Sequence, residues 1–394
     1  MVGKCKIGIV SALALISFSL QAQTNLVVSP KSGDGILTLM GRYKLNQHSS
    51  NLDSFLDLND LDPTDYLILE KKYKLPVKVY DYTSGTIRAT IGIDDYDRAL
   101  RIQKYNEQLV ESGVKEKSYK EDGKLWVPFH EMMTSTVVSK PGFKSYTTKI
   151  PILGKEYEDV VVEDATLDKC VYYLVSGHGG PDPGAMTTKD GHDLCEDEYA
   201  YDVTLRLARN LISHGATVYL IVRDPDDGIR DETYLKPDRH EVTWLNQKMP
   251  VNQRARLAQR VNAINALYEK HKADAKLQRV IVTHVDSRNE GEKIDIFFYH
   301  CPGSTTGKQA ADTMMNTISA KYNEHQKNRG YKGVVKAREL YMLLETKPTT
   351  VYIELGNITN EFDQKRLLIP NNRQAIANWL YLGISKDASR VLKQ

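Results

Sequence analysis

The stretch Val171-Tyr172-Tyr173-Leu174-Val175-Ser176-Gly177-His178-Gly179-Gly180-Pro181-Asp182-Pro183-Gly184-Ala185 decides how this chain is read. Its first six residues are apolar or β-favouring and predict a buried strand of an α/β sheet, a class whose ligands bind beyond the carboxyl ends of the strands. His178 falls at that edge. The glycines around it leave the backbone free to pass close to a ligand, while Pro181 and Pro183 stiffen the loop.

Working outward, three more polar side chains are expected at the same edge. Glu198 opens a helix whose apolar positions Val203, Leu207 and Leu211 recur at helical spacing up to a break at Gly215. His284 ends the strand Arg279–Thr283, and Glu354 ends the strand Val351–Glu354. Three strand ends and one helix start therefore present His, Glu, His and Glu. Glu196, Asp197 and Glu198 are all acids near that helix start, where a second role is to oppose the helix dipole. Glu198 is preferred over Glu196 as the residue facing the site.

With these motifs in place the chain resembles the zinc-dependent N-acetylmuramoyl-L-alanine amidases that cleave peptidoglycan. That family has a GHGGxDPGA loop after a strand, a glutamate at the next helix start, a strand ending in Ser-Ile-His-Ala-Asn, and a late Glu-Thr-Gly-Phe-x-x-Asn. Here the corresponding segments are Gly177–Ala185, Glu198, Thr283-His284-Val285-Asp286-Ser287 and Glu354-Leu355-Gly356-Asn357-Ile358-Thr359-Asn360. Gly215–Asp224 is similar to the family's GxxVxLTRxxD strand. The resemblance spans about Tyr172–Ser385.

It implies a zinc cofactor held by His178, Glu198 and His284, with Glu354 as the general base. A catalytic zinc takes three protein ligands and leaves a fourth position for water, whose pKa it lowers to about 7. The bond cut joins the lactyl group of N-acetylmuramic acid to L-alanine. Asp286 and Arg288, next to the second histidine, are expected substrate contacts. Arg223, Asp224, Arg254 and His300 are read as framework, and His192 as a loop residue that either lines the site or is solvated. Partners implied are glycan strands and stem peptides of peptidoglycan, with room for a protein activator. A zinc carboxypeptidase or aminopeptidase on cell-wall peptides, and a wall-binding protein without turnover, are the alternatives.

Lys4 and Lys6 precede the apolar stretch Ile7–Leu20, followed by Gln21-Ala22-Gln23, which reads as a secretory signal peptide over residues 1–23. The expected location is therefore periplasmic, cell-envelope or secreted, with no stable membrane anchor after cleavage. The chain has 394 residues with 53 basic and 51 acidic side chains, and the leader holds two lysines and no acid. A mature chain near neutrality argues against nucleic acid as a partner. Cys170, Cys195 and Cys301 remain after cleavage, an odd count that leaves at least one thiol unpaired.

Residues before about Gly154 lack strand–helix alternation. Gly33–Tyr43, Phe55–Leu61, Asp65–Leu67 and Tyr73–Pro76 read as a short strand, two helices and a strand, similar to a LysM module over residues 32–79, a family that binds N-acetylglucosamine-containing glycans. Residues 85–132 have a similar order, with an opening strand at Ile87–Ile93, a helix at Tyr96–Val110 and a closing strand at Leu125–Pro128; they are read as a degenerate repeat or an unrelated α+β unit. Residues 140–165 read as a linker, and 166–394 as the catalytic domain, a mostly parallel twisted sheet flanked by helices. A polar insert between Asp224 and Val251 interrupts that domain.

Overall fold

The computed structural model describes residues 24–393 except 47, 63–64, 84, 94, 133–142, 144, 288–294 and 326–329. The expected leader, the start of the expected linker and Arg288 lie outside the described residues.

Six strands form the central sheet: β1 (Cys170–Ser176), β2 (Thr217–Leu220), β3 (Leu277–Asp286), β4 (Phe297–His300), β5 (Val335–Ala337) and β6 (Thr349–Asn357). They lie in the order β5-β4-β6-β3-β1-β2. All neighbours run parallel except β4 and β6. The carboxyl ends of β1, β3 and β6 are therefore adjacent, as a mostly parallel α/β sheet requires.

Successive strand residues face opposite sides, and the buried residues follow that period of two. Tyr172, Leu174, Ile281 and Ile353 belong to one apolar cluster, Val171, Tyr173, Val175, Val280 and Val282 to another. The first is covered by helices α1 (Glu196–Ser213), α3 (Thr305–His325) and α4 (Pro370–Leu392), the second by α2 (Gln253–His271). Because both faces are covered, β1 reads as a continuous buried run rather than an alternating one.

Helix α1 is buried along almost its whole length, polar residues included. Its Asp202 carboxylate accepts from Arg206 Nε at 2.7 Å and from Arg373 Nε of α4 at 2.6 Å. Both arginines also donate to the Arg230 carbonyl, at 2.7 and 2.8 Å. Buried charges survive only when paired and fully hydrogen-bonded. This triad is so satisfied, and it pins the start of the insert to α1.

Clustering of contacts separates two units, residues 24–26 with 77–128 and residues 27–76 with 129–393. In the smaller, Tyr96–Glu111 and Lys124–Pro128 form a helix and a strand. The segment expected as an opening strand is instead a helix, Ile87–Ile91, because the Thr86 side chain caps it by accepting from Ala89 N and Gly92 ends it in the left-handed region. In the larger unit, helices Ile36–Arg42 and Ser49–Asn59 lie beside the catalytic layers. Leu37 N donates to Asn371 Oδ1 of α4 at 3.2 Å, and His48 Nδ1 meets Glu163 Oε1 at 2.7 Å. Cys170, Cys195 and Cys301 are free thiols.

Candidate metal centre

His178 follows β1 in a loop whose backbone leaves the strand at once; its own φ is 58°, in the left-handed region. His284 lies near the end of β3, and Glu196 is the first residue of α1. These three converge. His284 Nδ1 lies 2.7 Å from Glu196 Oε1, and His178 Nε2 lies 3.3 Å from Glu196 Oε2. The imidazole rings meet edge to face at 4.9 Å.

Two glycines make the convergence sterically feasible. A Cβ on Gly177 would sit 2.3 Å from His284 Cε1. One on Gly184, at φ +73°, would sit 2.7 Å from both Glu196 Oε2 and His178 Cδ2. Only glycine leaves the imidazoles and carboxylate this volume.

Glu196 is the third member of the cluster, and the expectation of Glu198 is corrected. At about 100° per residue, side chains two apart on a helix point to nearly opposite sides. Glu196 N donates to the Ala185 carbonyl, which turns the first helical residue toward the loop. Glu198 faces away: its carboxylate accepts from Arg230 Nη2 at 2.9 Å and from Asp238 N at 2.9 Å, both in the insert.

Surrounding contacts hold each member. His178 Nδ1 lies 3.0 Å from Asp182 Oδ2, which leaves Nε2 to face Glu196 and His284. Asp182 is in turn paired with Arg256, and Arg260 donates to the His178 carbonyl. Both arginines lie on one face of α2, four residues apart, a helix started by the Asn252 cap. Glu196 also accepts from Ala185 N at 2.8 Å and Val285 N at 3.0 Å. The His284 ring stacks on Tyr352 at 4.5 Å.

Charge follows from this arrangement. Burial works against a protonated His178, but hydrogen bonds to Asp182 and Glu196 raise it to about 10. Burial likewise works to protonate Glu196, yet its bonds to the two histidines hold it below the usual carboxylate range. His284, fully enclosed, is lowered by burial. Next along the helix, burial together with Glu241 and Glu198 pushes Asp197 up to about 9.

The donor set fits zinc. Two imidazoles and one carboxylate are the composition of a catalytic zinc site with an open fourth position. The ligating atoms of His178, Glu196 and His284 all lie within 4.8 Å of one another. Neighbours on a tetrahedron of roughly 2.0–2.1 Å bonds are about 3.4 Å apart, and His178 Nε2 and Glu196 Oε2 are 3.3 Å apart. The other nitrogen of His178 is oriented by a carboxylate, as ligating histidines usually are.

Glu354 is the register partner of His284 on the neighbouring strand β6 and is buried. Asp286, also buried, turns its carboxylate onto its own chain, accepting from Ser287 N at 2.8 Å. Among the residues expected as framework, Asp224 accepts from Asp226 N and Asp227 N, Arg254 is exposed on α2, and His300 Nδ1 lies 2.9 Å from the Cys301 carbonyl, while the loop residue His192 stacks on Tyr234. Sequence reasoning missed Asp182, Arg256, Arg260 and Glu241. Arg256 and Arg260 carried a signal, their four-residue spacing, but nothing in the sequence says which face of α2 meets the loop.

Residues 173–386 match the N-acetylmuramoyl-L-alanine amidase family, more than half of the chain. The chain belongs to that family. Among solved structures, it is similar to the CwlD amidase of Clostridioides difficile, solved in complex with the GerS lipoprotein, at 21% identity over 56% of this chain and 98% of that one, with a TM-score of 0.41. It is also similar to the amidase AmiC2 of Nostoc punctiforme, at 19% identity over 57% and 98%, TM-score 0.38. The catalytic domain of CwlV from Bacillus (Paenibacillus) polymyxa var. colistinus matches at 17% identity over 57% and 98%, TM-score 0.38. No curated protein matches the chain.

Proposed function

We propose that this chain is an exported zinc hydrolase that cleaves the amide bond between N-acetylmuramic acid and L-alanine in peptidoglycan. Family membership supports the reaction class, and the convergence of His178, Glu196 and His284 beside Glu354 is the observation that carries the assignment of residues.

In this reading His178, Glu196 and His284 hold the ion, which when bound supplies Lewis-acid polarisation and a water of lowered pKa. Glu354 receives the proton of the attacking water and delivers it to the leaving amine of L-alanine, the two tasks of a general base that becomes a general acid. Asp182 keeps the Nε2 atom of His178 directed inward, and Arg256 keeps Asp182 in place. Tyr352 fixes the plane of His284 by stacking. Asp286, the last residue of β3, and Arg288 contact the substrate.

The leader-like residues 1–23 support export to the cell envelope, where the substrate is found. No described helix is long and apolar enough to cross a membrane. Residues 32–79, in which the helices Ile36–Arg42 and Ser49–Asn59 precede the strand Tyr73–Asp81, would as a LysM-like module hold the enzyme on glycan, and residues 85–132 would be a degenerate repeat of it or an unrelated α+β unit.

Mass spectrometry of peptidoglycan digested by wild type and by Glu354→Ala, with metal measured on both proteins, tests the proposal. Wild type should release intact stem peptides from lactyl-bearing glycan, and the variant should keep zinc and lose cleavage. A fully active Glu354→Ala would remove Glu354 from the mechanism. Cleavage within the stem peptide instead would indicate a peptidase.

A further inference from the structure

A second cluster of potential ligands lies one residue along α1 from Glu196, and it contains no imidazole. Asp197, Glu198 and Glu241 each present a carboxylate oxygen within 4.8 Å of the others, and all three side chains are buried. Asp224 and Asp238 form an adjoining triad that shares Glu241.

Only one member of the cluster has an ion-pair partner among the described residues. Arg230 pairs with Glu198, but among the described residues neither Asp197 nor Glu241 takes part in an ion pair. Asp197 is 2% exposed, and its Oδ1 accepts from Glu198 N while Oδ2 has no hydrogen-bond partner. A buried carboxylate oxygen left without a donor is costly, and proteins resolve that cost by pairing, by protonation or by coordinating a metal. The carboxylates that already accept hydrogen bonds retain lone pairs for a cation.

We propose that Asp197, Glu198 and Glu241 bind one hard divalent cation of the calcium class, distinct from the ion assigned to His178, Glu196 and His284. An all-oxygen, carboxylate-rich site with irregular geometry suits calcium, which accepts six to eight oxygens flexibly, better than magnesium, which demands a near-ideal octahedron. The absence of nitrogen and sulfur donors disfavours zinc.

Such an ion joins three elements. Asp197 and Glu198 begin α1, next to Glu196. Glu241 belongs to the insert and also accepts from Gly180 N at 2.7 Å, in the loop that carries His178. A cation here ties the insert to the loop and to the helix start, and so stiffens the frame of the imidazole site without entering it.

The test uses the full chain after chelation, titrated with calcium chloride by calorimetry and followed by thermal unfolding, with magnesium and zinc chlorides as comparisons. Wild type should bind one equivalent of calcium and unfold at a higher temperature in its presence. Asp197→Asn and Glu241→Gln should weaken calcium at least about tenfold, because affinity at oxygen sites follows the count of charged ligands. His178→Ala should still bind it. Asp197→Asn preserves shape and relieves carboxylate repulsion, so it should fold without calcium and show no calcium-dependent shift. Absence of calcium binding by wild type, or undiminished binding by Asp197→Asn, would overturn the proposal. So would loss of calcium binding in His178→Ala, which would place the ion at the imidazole site. None of these readouts depends on peptidoglycan cleavage, so the proposal and the amidase assignment fail separately.

Discussion

Two clusters of ligating side chains share the first turn of α1, and they differ in how their charge is balanced. His178, Glu196 and His284 pair a carboxylate with two imidazoles, and the His178 charge and the Glu196 charge sustain each other. Asp197, Glu198 and Glu241 gather three carboxyl groups, of which only Glu198 has an ion-pair partner, Arg230, among the described residues. Adjacent residues of one helix thus serve opposite donor chemistries because a helix turns them to different neighbours. What decides each cluster is the element it faces: the carboxyl ends of two neighbouring strands in the first case, the insert in the second.

The largest effect that would sharpen this contrast comes from the first cluster. His284→Ala, His178→Ala and Glu196→Gln should each lose bound zinc and peptidoglycan cleavage together, as read by elemental analysis and muropeptide release. Glu198→Gln should keep its zinc. Zinc retained by Glu196→Gln and lost by Glu198→Gln would reverse the assignment along the helix.

Next in size is Glu354→Gln, which should slow cleavage by about 10²–10⁴-fold while leaving zinc in place, the range for removal of a general base. Asp182→Asn should weaken zinc affinity by about 10- to 100-fold, the usual effect of losing the group that orients a ligating histidine. A competitive chelator titration measures it. An unchanged affinity would mean that the His178 ring is held by its loop alone.

The smallest expected effect concerns the frame that keeps Glu198 apart. Asp202 is held at about 2: burial would raise it, but Arg206 and Arg373 outweigh burial. Its folded value lies below the unfolded value of 3.8, so its contribution is complete above about pH 4 and disappears as pH falls through 2. Urea unfolding between pH 5 and pH 2 should show a loss of about 2 kcal/mol from this group. Asp202→Asn should lack that component of the slope.

Much of this organisation was legible in the chain. The glycine-rich loop, the three strand ends and the buried character of β1 follow from residue type and period, since a fully covered parallel strand must be apolar on both faces. His178 and His284 were found because each ends such a strand. The choice between Glu196 and Glu198 was not legible: both are acids near a helix start, and helical phase there depends on where the preceding hairpin, Met186–Cys195, delivers the chain. The opening of the second N-terminal segment was misread because Ile87, Thr90 and Ile91 are β-branched, while the Thr86 cap and Gly92 stop make it a helix.

By itself the sequence determined a parallel α/β sheet, its family motifs and the two histidines, because these depend on local period and on the residues that follow each strand. Tertiary structure alone decided which acid joins them, that Arg256 and Arg260 support the loop, and that Glu241 crosses from the insert to Asp197. Those contacts join residues as far as 88 positions apart, as His284 and Glu196 are, and they exist only when helices and strands have fixed each other's rotation. No local pattern carries that rotation, since it is set by packing between layers rather than by propensity along the chain.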